Sequence, residues 1–297
     1  GLCKPSAIKL IIKELRNEVS LPIHFHTHDT SGTSSATVLA AIEEGIDIVD
    51  LAMDSMSGLT SQPALGSVVS IMKKNNNNSS LDEAKIREAS LYWEQVRNNY
   101  NAFESDFRGS SSDVYIHQMP GGQFTNLKEQ AKSLGITTDK WGLVANMYAE
   151  VNKMFGDIIK VTPSSKVVGD MALYMITNDL SPEDVLNPNK EISFPTSVVE
   201  FFKGEIGIPM GGFPKKLQEK ILGGETPLTK RAGSILPSVD LDIKKKQLEK
   251  KYEENISNQQ LASYLMYPKV FEEFMEHRNT YSDTSILSTE LFFYGPL

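Results

Sequence analysis

Five histidines occur in the 297 residues, and three of them, His24, His26 and His28, share one short run. Residues 21–28 read as a strand, opened by Pro22 and followed by Asp29-Thr30-Ser31-Gly32. Residues two apart in a strand point to the same side. His26 and His28 therefore project together from the C-terminal end, which carries the active site in parallel α/β barrels. Two imidazoles so placed chelate one divalent metal when carboxylates or other ligands join from neighbouring strands. The competing reading is a set of hydrogen-bonded core histidines. Two polar rings facing one interior each need a partner, and a single cation satisfies both, so the metal reading is preferred. His24 lies deeper on the same face and is the weaker candidate. Asp29 is placed to orient a ligand from behind.

A second candidate is Thr162-Pro163-Ser164-Ser165-Lys166. Thr162 has the chemistry of an N-cap and Pro163 suits the first helical position. A helix start alone explains those two residues. Lys166 does not fit it, because a cation in the first turn opposes the helix dipole. A lysine beside hydroxyls and free backbone N–H groups suits a polar or anionic ligand. In Met119-Pro120-Gly121-Gly122-Gln123 the paired glycines allow close backbone approach, as a ligand contact or as a tight turn. Asp50 and Asp54 follow the second strand, and facing the site, capping a helix and facing solvent all remain open for them.

The elements that must hold these residues follow from periodicity. Helices are predicted over 5–17 and 34–44, and strands over 21–28 and 46–52. Helix, strand, helix and strand with short links mark a parallel α/β fold. The polar run 75–78 with Ser79 and Ser80 reads as a surface loop or boundary. Ser80 and Glu83 then have capping-box spacing, followed at helical intervals by Ile86, Ala89, Trp93, Val96 and Tyr100. Val144, Tyr148, Val151 and Phe155 form another stripe, closed by Gly156. Helices are further predicted over 163–178, 240–255 and 258–277. The expected layout is the tail of an α/β barrel over 1–75, then a mainly helical extension over 76–297.

Bulk properties narrow the function. The net charge is −8 with no dense basic run, which argues against nucleic acid. The single cysteine, Cys3, excludes an intrachain disulfide framework and a cysteine-based zinc site, and it suggests a reducing compartment. No apolar run approaches a membrane span. Gly1-Leu2-Cys3-Lys4-Pro5 reads as neither an initiator sequence nor a leader, so the chain reads as a fragment.

The motifs together resemble one family. I-H-F-H-T-H-D-T-S-G at 23–32 and D-S-M-S-G-L-T-S-Q-P at 54–63 are similar to the last two strands of a pyruvate carboxylase carboxyltransferase barrel. The resemblance runs on through S-D-V-Y at 112–115, M-P-G-G-Q-F-T-N-L at 119–127 and G-D-I-I-K-V-T-P-S-S-K-V-V-G-D at 156–170. It extends to F-P-T-S-V-V-E-F-F-K-G at 194–204 and M-Y-P-K-V-F at 266–271.

The resemblance implies a (β/α)8 barrel followed by a helical funnel, and transfer of CO2 from carboxybiotin to pyruvate to give oxaloacetate. It implies that His26 and His28 are metal ligands, for Zn or Mn. Thr162 would relay a proton between pyruvate and biotin, and Ser165, Lys166 and Gln123 would line the biotin and substrate pocket. The complete enzyme would add an ATP- and Mg-using biotin carboxylase domain and a biotinylated carrier domain. It would be a homotetramer of the bacterial cytoplasm or the mitochondrial matrix. The family's aspartate ligand, carboxylated lysine ligand and pyruvate-binding arginine match no position here, which leaves half a metal site.

Oxaloacetate decarboxylase α subunits and the transcarboxylase pyruvate subunit share the barrel and the H-x-H pair. They differ after the second metal histidine and carry methionine where Gln123 stands. Lyases of the hydroxymethylglutaryl-CoA type share the paired histidines with an aspartate after them but lack T-P-S-S-K and the helical tail. A non-catalytic scaffold or dimerisation role is the alternative of another class.

Overall fold

The computed structural model describes residues 1–74, 79–104 and 107–295. The expected loop or boundary at 75–78 lies outside the described residues. Two compact units divide the chain, 1–232 and 233–297.

The first unit opens with α1 (Pro5–Glu18), whose leading proline sits where no helical hydrogen bond is lost. Ile8 and Ile12 of α1 pack on Ala40 and Ala41 of α2 (Ser34–Glu43), with Phe25 and Ile46 beside them. Strand β1 (His24–Phe25) pairs in parallel with β2 (Ile48–Val49), His24 opposite Ile48 and Phe25 opposite Val49. Both strands are far shorter than predicted. Extended backbone becomes a strand only where a neighbour shares its hydrogen bonds, and among the described residues each strand has only the other. Beyond the pair, Asp29 N–H turns to the Ser61 carbonyl at 2.8 Å, and Ala52 N–H to the Pro63 carbonyl at 3.0 Å.

Helix α3 (Leu65–Lys74) starts on Asp54, whose Oδ1 accepts the Gly66 N–H at 2.7 Å. That resolves the choice left open for Asp54: it caps a helix. Helix α4 (Glu83–Arg97) is capped by Asp82, which accepts the N–H groups of Ala84 and Lys85. The expected Ser80–Glu83 box is therefore corrected. Ser80 lies too far upstream, and Asp82 stands next to the first helical residue. On the predicted stripe Ile86 is buried, but Trp93 is 42% exposed, and Tyr100 falls in a 3-10 turn past the helix end.

The main core lies further along. Short α5 (Val114–His117) leads to α6 (Gly121–Ser133), α7 (Trp141–Met154) and α8 (Ser164–Thr177). Val144, Tyr148, Val151 and Phe155 are wholly buried, as their spacing predicts. They share a cluster with Leu127 of α6 and Val168, Met171 and Met175 of α8. Helices α9 (Pro182–Leu186), α10 (Thr196–Lys203) and α11 (Lys215–Leu222) close it, through Val185, Phe202 and Leu217. Truncating a ring as enclosed as Phe155 to alanine costs about 3–5 kcal/mol, and this ring, at the C-cap of α7, packs on Phe201 and Phe202 of α10.

The second unit holds α12 (Leu241–Tyr252), α13 (Asn258–Met266), α14 (Pro268–Tyr281) and α15 (Thr289–Tyr294), and Leu248 of α12 and Leu261 of α13 share a buried cluster with Ile256. The single helix predicted over 258–277 is two. Pro268 has no N–H to donate and disfavours helical geometry in the residue before it, and Tyr267 accordingly sits at φ −142°, ψ 65°. No helix among the described residues is long and apolar enough to cross a membrane.

Candidate functional site

The three clustered histidines are held by two different acceptors. Asp50 follows β2 and reaches back to β1. Its Oδ1 pairs with His24 Nε2 and its Oδ2 with His26 Nδ1, each at 2.7 Å. These bonds, His24 first, hold the Asp50 carboxyl below the usual carboxylate range. An ionised carboxylate only accepts, so His26 carries its hydrogen on Nδ1. His28 Nδ1 lies 2.6 Å from the Thr60 carbonyl oxygen, and a carbonyl likewise only accepts. Burial pushes the His28 pKa down, against the upward pull of that hydrogen bond. His28 is thus neutral at pH 7, with its lone pair on Nε2.

This arrangement fits a divalent metal. Ligating histidines commonly give their second N–H to a carboxylate or a backbone carbonyl, which fixes tautomer and ring direction. The two rings meet edge to face, centroids 5.1 Å apart, within reach of one ion bound at about 2 Å from each nitrogen. His24 spends Nε2 on Asp50, the nitrogen that His26 and His28 keep free. Among the described residues no group of three or more His, Cys, Asp or Glu side chains forms a metal-holding cluster. Asp29 differs from expectation. Its Oδ1 takes the Ser34 N–H at 3.0 Å and so fixes the start of α2, leaving the supporting role to Asp50.

The loop after His28 meets the next motif directly. Thr33 Oγ1 bonds the Tyr115 hydroxyl at 2.9 Å, and Ser111 N–H donates to the Thr30 carbonyl at 2.9 Å. Lys4 lies over the Tyr115 ring. Just beyond, Gly121 opens α6 against the His28 ring: a Cβ there would lie 2.7 Å from His28 Cβ. Two residues on, Gln123 is buried, and among the described residues its Nε2 finds no hydrogen-bond partner. Gly169 of α8 lies against that amide, where a Cβ would stand 2.6 Å from Nε2.

Helix α8 carries the remaining candidates. Ser165 is buried and its carbonyl accepts the Tyr148 hydroxyl at 3.4 Å. Lys166 is half exposed and pairs with Asp170 Oδ2 at 2.6 Å, an oxygen that also accepts from Ser197. That pairing offsets the unfavourable position of the lysine in the first turn.

The expected N-cap role of Thr162 is overturned. The helix begins at Ser164, after a cis Thr162–Pro163 peptide, and Pro163 occupies the cap position without a side-chain bond. Ser164 Oγ folds back instead, accepting Val161 N–H at 3.1 Å and donating to the Ile159 carbonyl at 2.8 Å. Thr162 is exposed and makes no hydrogen bond among the described residues. Gln123, Ser165 and Lys166 thus share two packed helices, and His28 joins them at Gly121. Thr162 stands at the head of α8 with its hydroxyl uncommitted.

Comparison with known proteins decides the family. The model of the conserved carboxylase domain matches residues 114–297, more than half of the chain. The chain belongs to the conserved carboxylase domain family. An HMGL-like model matches residues 1–92, a stretch that includes the H-T-H-D run at 26–29. Pyruvate carboxylase from Bacillus subtilis is 45% identical over 99% of this chain and 26% of its own length. The human mitochondrial pyruvate carboxylase is 42% identical over 100% of this chain and 25% of its own length. The solved carboxyl transferase domain of Rhizobium etli pyruvate carboxylase with pyruvate and biocytin is 57% identical, with a TM-score of 0.96. It is covered over 50% of its length, and this chain over 100%. The expected kinship with pyruvate carboxylase carboxyltransferases is borne out. The chain spans about a quarter of the length of the curated relatives it matches.

Sequence reasoning left Asp50 undecided and Thr60 unnoticed. Only the parallel register puts Asp50 beside His24 and His26. Thr60 acts through its backbone carbonyl, which side-chain identity does not announce.

Proposed function

We propose that this chain is the C-terminal part of the carboxyltransferase unit of a biotin-dependent pyruvate carboxylase. Within the complete enzyme it moves CO2 from carboxybiotin to pyruvate and gives oxaloacetate. The observation that carries this reading is whole-chain likeness, at 57% identity, to a carboxyl transferase domain solved with pyruvate and biocytin. Residues 1–75 then belong to a (β/α)8 barrel and 76–297 to its helical extension.

In this reading His26 and His28 hold the divalent metal, Zn or Mn, through Nε2, with Asp50 and the Thr60 carbonyl supporting them. When bound, the metal polarises the carbonyl of pyruvate as a Lewis acid, and carboxylated biotin supplies the CO2. Thr162 Oγ accepts the methyl proton of pyruvate and gives its own proton to the biotin nitrogen that CO2 leaves. The methyl carbon keeps the electron pair of its broken C–H bond and forms the new C–C bond to CO2. A concerted relay of this kind requires position rather than an ionised hydroxyl. Ser165, Lys166 and Gln123 line the biotin side, where Lys166 offers a cation and Gln123 an amide with a free donor.

The carrier domain and the ATP- and Mg-using biotin carboxylase domain of the same polypeptide are the partners, in a homotetramer. The compartment is the bacterial cytoplasm or the mitochondrial matrix. The deciding assay is oxaloacetate formation from pyruvate, bicarbonate and ATP by the complete enzyme, with avidin as inhibitor. Absence of avidin-sensitive carboxylation of pyruvate would overturn the proposal.

A further inference from the structure

We propose that Gly121 is a positioning residue for His28: it leaves the space in which the imidazole is clamped with Nε2 toward the metal. The inference rests on the reading of His28 as a metal ligand and deepens it.

Gly121 is the first residue of α6 and is buried. Its φ lies outside the left-handed region, so backbone freedom does not explain the glycine there. Contact does. A Cβ at Gly121 would stand 2.7 Å from His28 Cβ, 2.7 Å from Cγ and 2.9 Å from Nδ1. None of these atoms is the free end of a flexible side chain. Cβ is fixed by the backbone of the segment that follows β1, and Nδ1 is tied to the Thr60 carbonyl at 2.6 Å. The His26 ring bounds the imidazole on another side. Any side chain at 121 therefore moves the His28 ring or moves α6. Gly122 provides an internal contrast, since a Cβ there meets nothing within 4 Å.

The test uses the complete enzyme loaded with Zn2+ or with Co2+, whose visible spectrum reports ligand geometry. Gly121→Ala should lower metal affinity tenfold or more, a loss of the size seen when ligand-orienting groups are removed, and should shift the Co2+ bands. Gly122→Ala should stay within twofold with an unchanged spectrum. His28→Ala separates this inference from the reading beneath it. Metal lost in His28→Ala but held normally, with a normal spectrum, in Gly121→Ala overturns the positioning role alone. Metal retained in His28→Ala removes the ligand assignment instead. If Gly121→Ala fails to fold, thermal unfolding of the metal-free double variant Gly121→Ala/His28→Gly decides. Recovered stability supports the contact, and no recovery overturns it.

Discussion

The Thr60 carbonyl oxygen takes the Nδ1 hydrogen of His28 across 2.6 Å, and in doing so selects which nitrogen of that ring is left for chemistry. Asp50 does the same for His26 at 2.7 Å. A backbone oxygen and a carboxylate thus prepare two neighbouring rings identically, although the acceptors come from different segments.

The first prediction is an ordering of metal affinities in the complete enzyme. On the proposed reading His26→Ala and His28→Ala each remove a ligand, and each should lower bound metal tenfold or more after gel filtration. Asp50→Asn keeps the ligands but weakens their support, with an expected loss of about 10-fold. His24→Ala should change little, because Asp50 still holds His26. Elemental analysis checks the series, and full occupancy in both ligand variants would sink the metal assignment.

The second prediction concerns His117, whose pKa burial pushes down to about 4. Its Nδ1 accepts the Met119 N–H at 3.0 Å, so the folded state holds a neutral ring. The unfolded chain binds the proton below its ordinary value of 6.5, so the stabilisation is complete above that pH. It is lost as pH falls from 6.5 toward 4. Urea unfolding of the wild type should weaken over this interval more than that of His117→Gln. Parallel curves would show that the ring is not buried neutral.

A third prediction tests the α6–α8 contact. A Cβ at Gly169 would meet Gln123 Nε2 at 2.6 Å and Leu127 Cδ1 at 2.9 Å. Gly169→Ala should destabilise by about 1–3 kcal/mol through overpacking. In a Gln123→Ala background the cost should shrink, because the amide is the nearer obstacle, and a double-mutant cycle measures the coupling. Additive effects would place the obstruction elsewhere.

The sequence was informative where side-chain identity and local period carry the physics. H-x-H placed two rings together, and the stripe from Val144 to Phe155 marked a buried helix because apolar burial follows the helical repeat. It was silent where tertiary register or backbone atoms decide. Asp50 reaches His24 and His26 only through the parallel pairing of β1 with β2. The contact of Gly121 with His28 joins segments more than ninety positions apart, and glycine has no side chain to advertise it. Thr162 shows a local rule failing. Thr-Pro has the composition of a helix start, yet Pro163 takes the cap position without a side-chain bond, and the Ser164 hydroxyl bonds Val161 N–H and the Ile159 carbonyl ahead of the helix.

That failure sharpens the last prediction, which concerns Thr162 itself. Its hydroxyl is exposed and has no partner among the described residues, so the fold does not depend on it. Thr162→Ala should leave thermal stability within about 0.5 kcal/mol of wild type, as for an uninvolved surface position. Metal content should not change. Carboxyl transfer to pyruvate should nevertheless fall by several orders of magnitude, because in the proposed mechanism its hydroxyl relays the proton. ATP-dependent carboxylation of biotin should survive, since the proposed reading assigns that chemistry to another domain. Thr162→Ser keeps the hydroxyl and should retain more transfer activity than Thr162→Ala. A capping residue would behave differently. Its loss would cost about 1 kcal/mol, be partly rescued by Ser, Asp or Asn, and leave turnover per folded molecule intact. Both half-reactions and thermal unfolding, measured on the Ala, Ser and Asn variants, separate these outcomes. An Asn variant with near-normal carboxyl transfer would take Thr162 out of the chemistry.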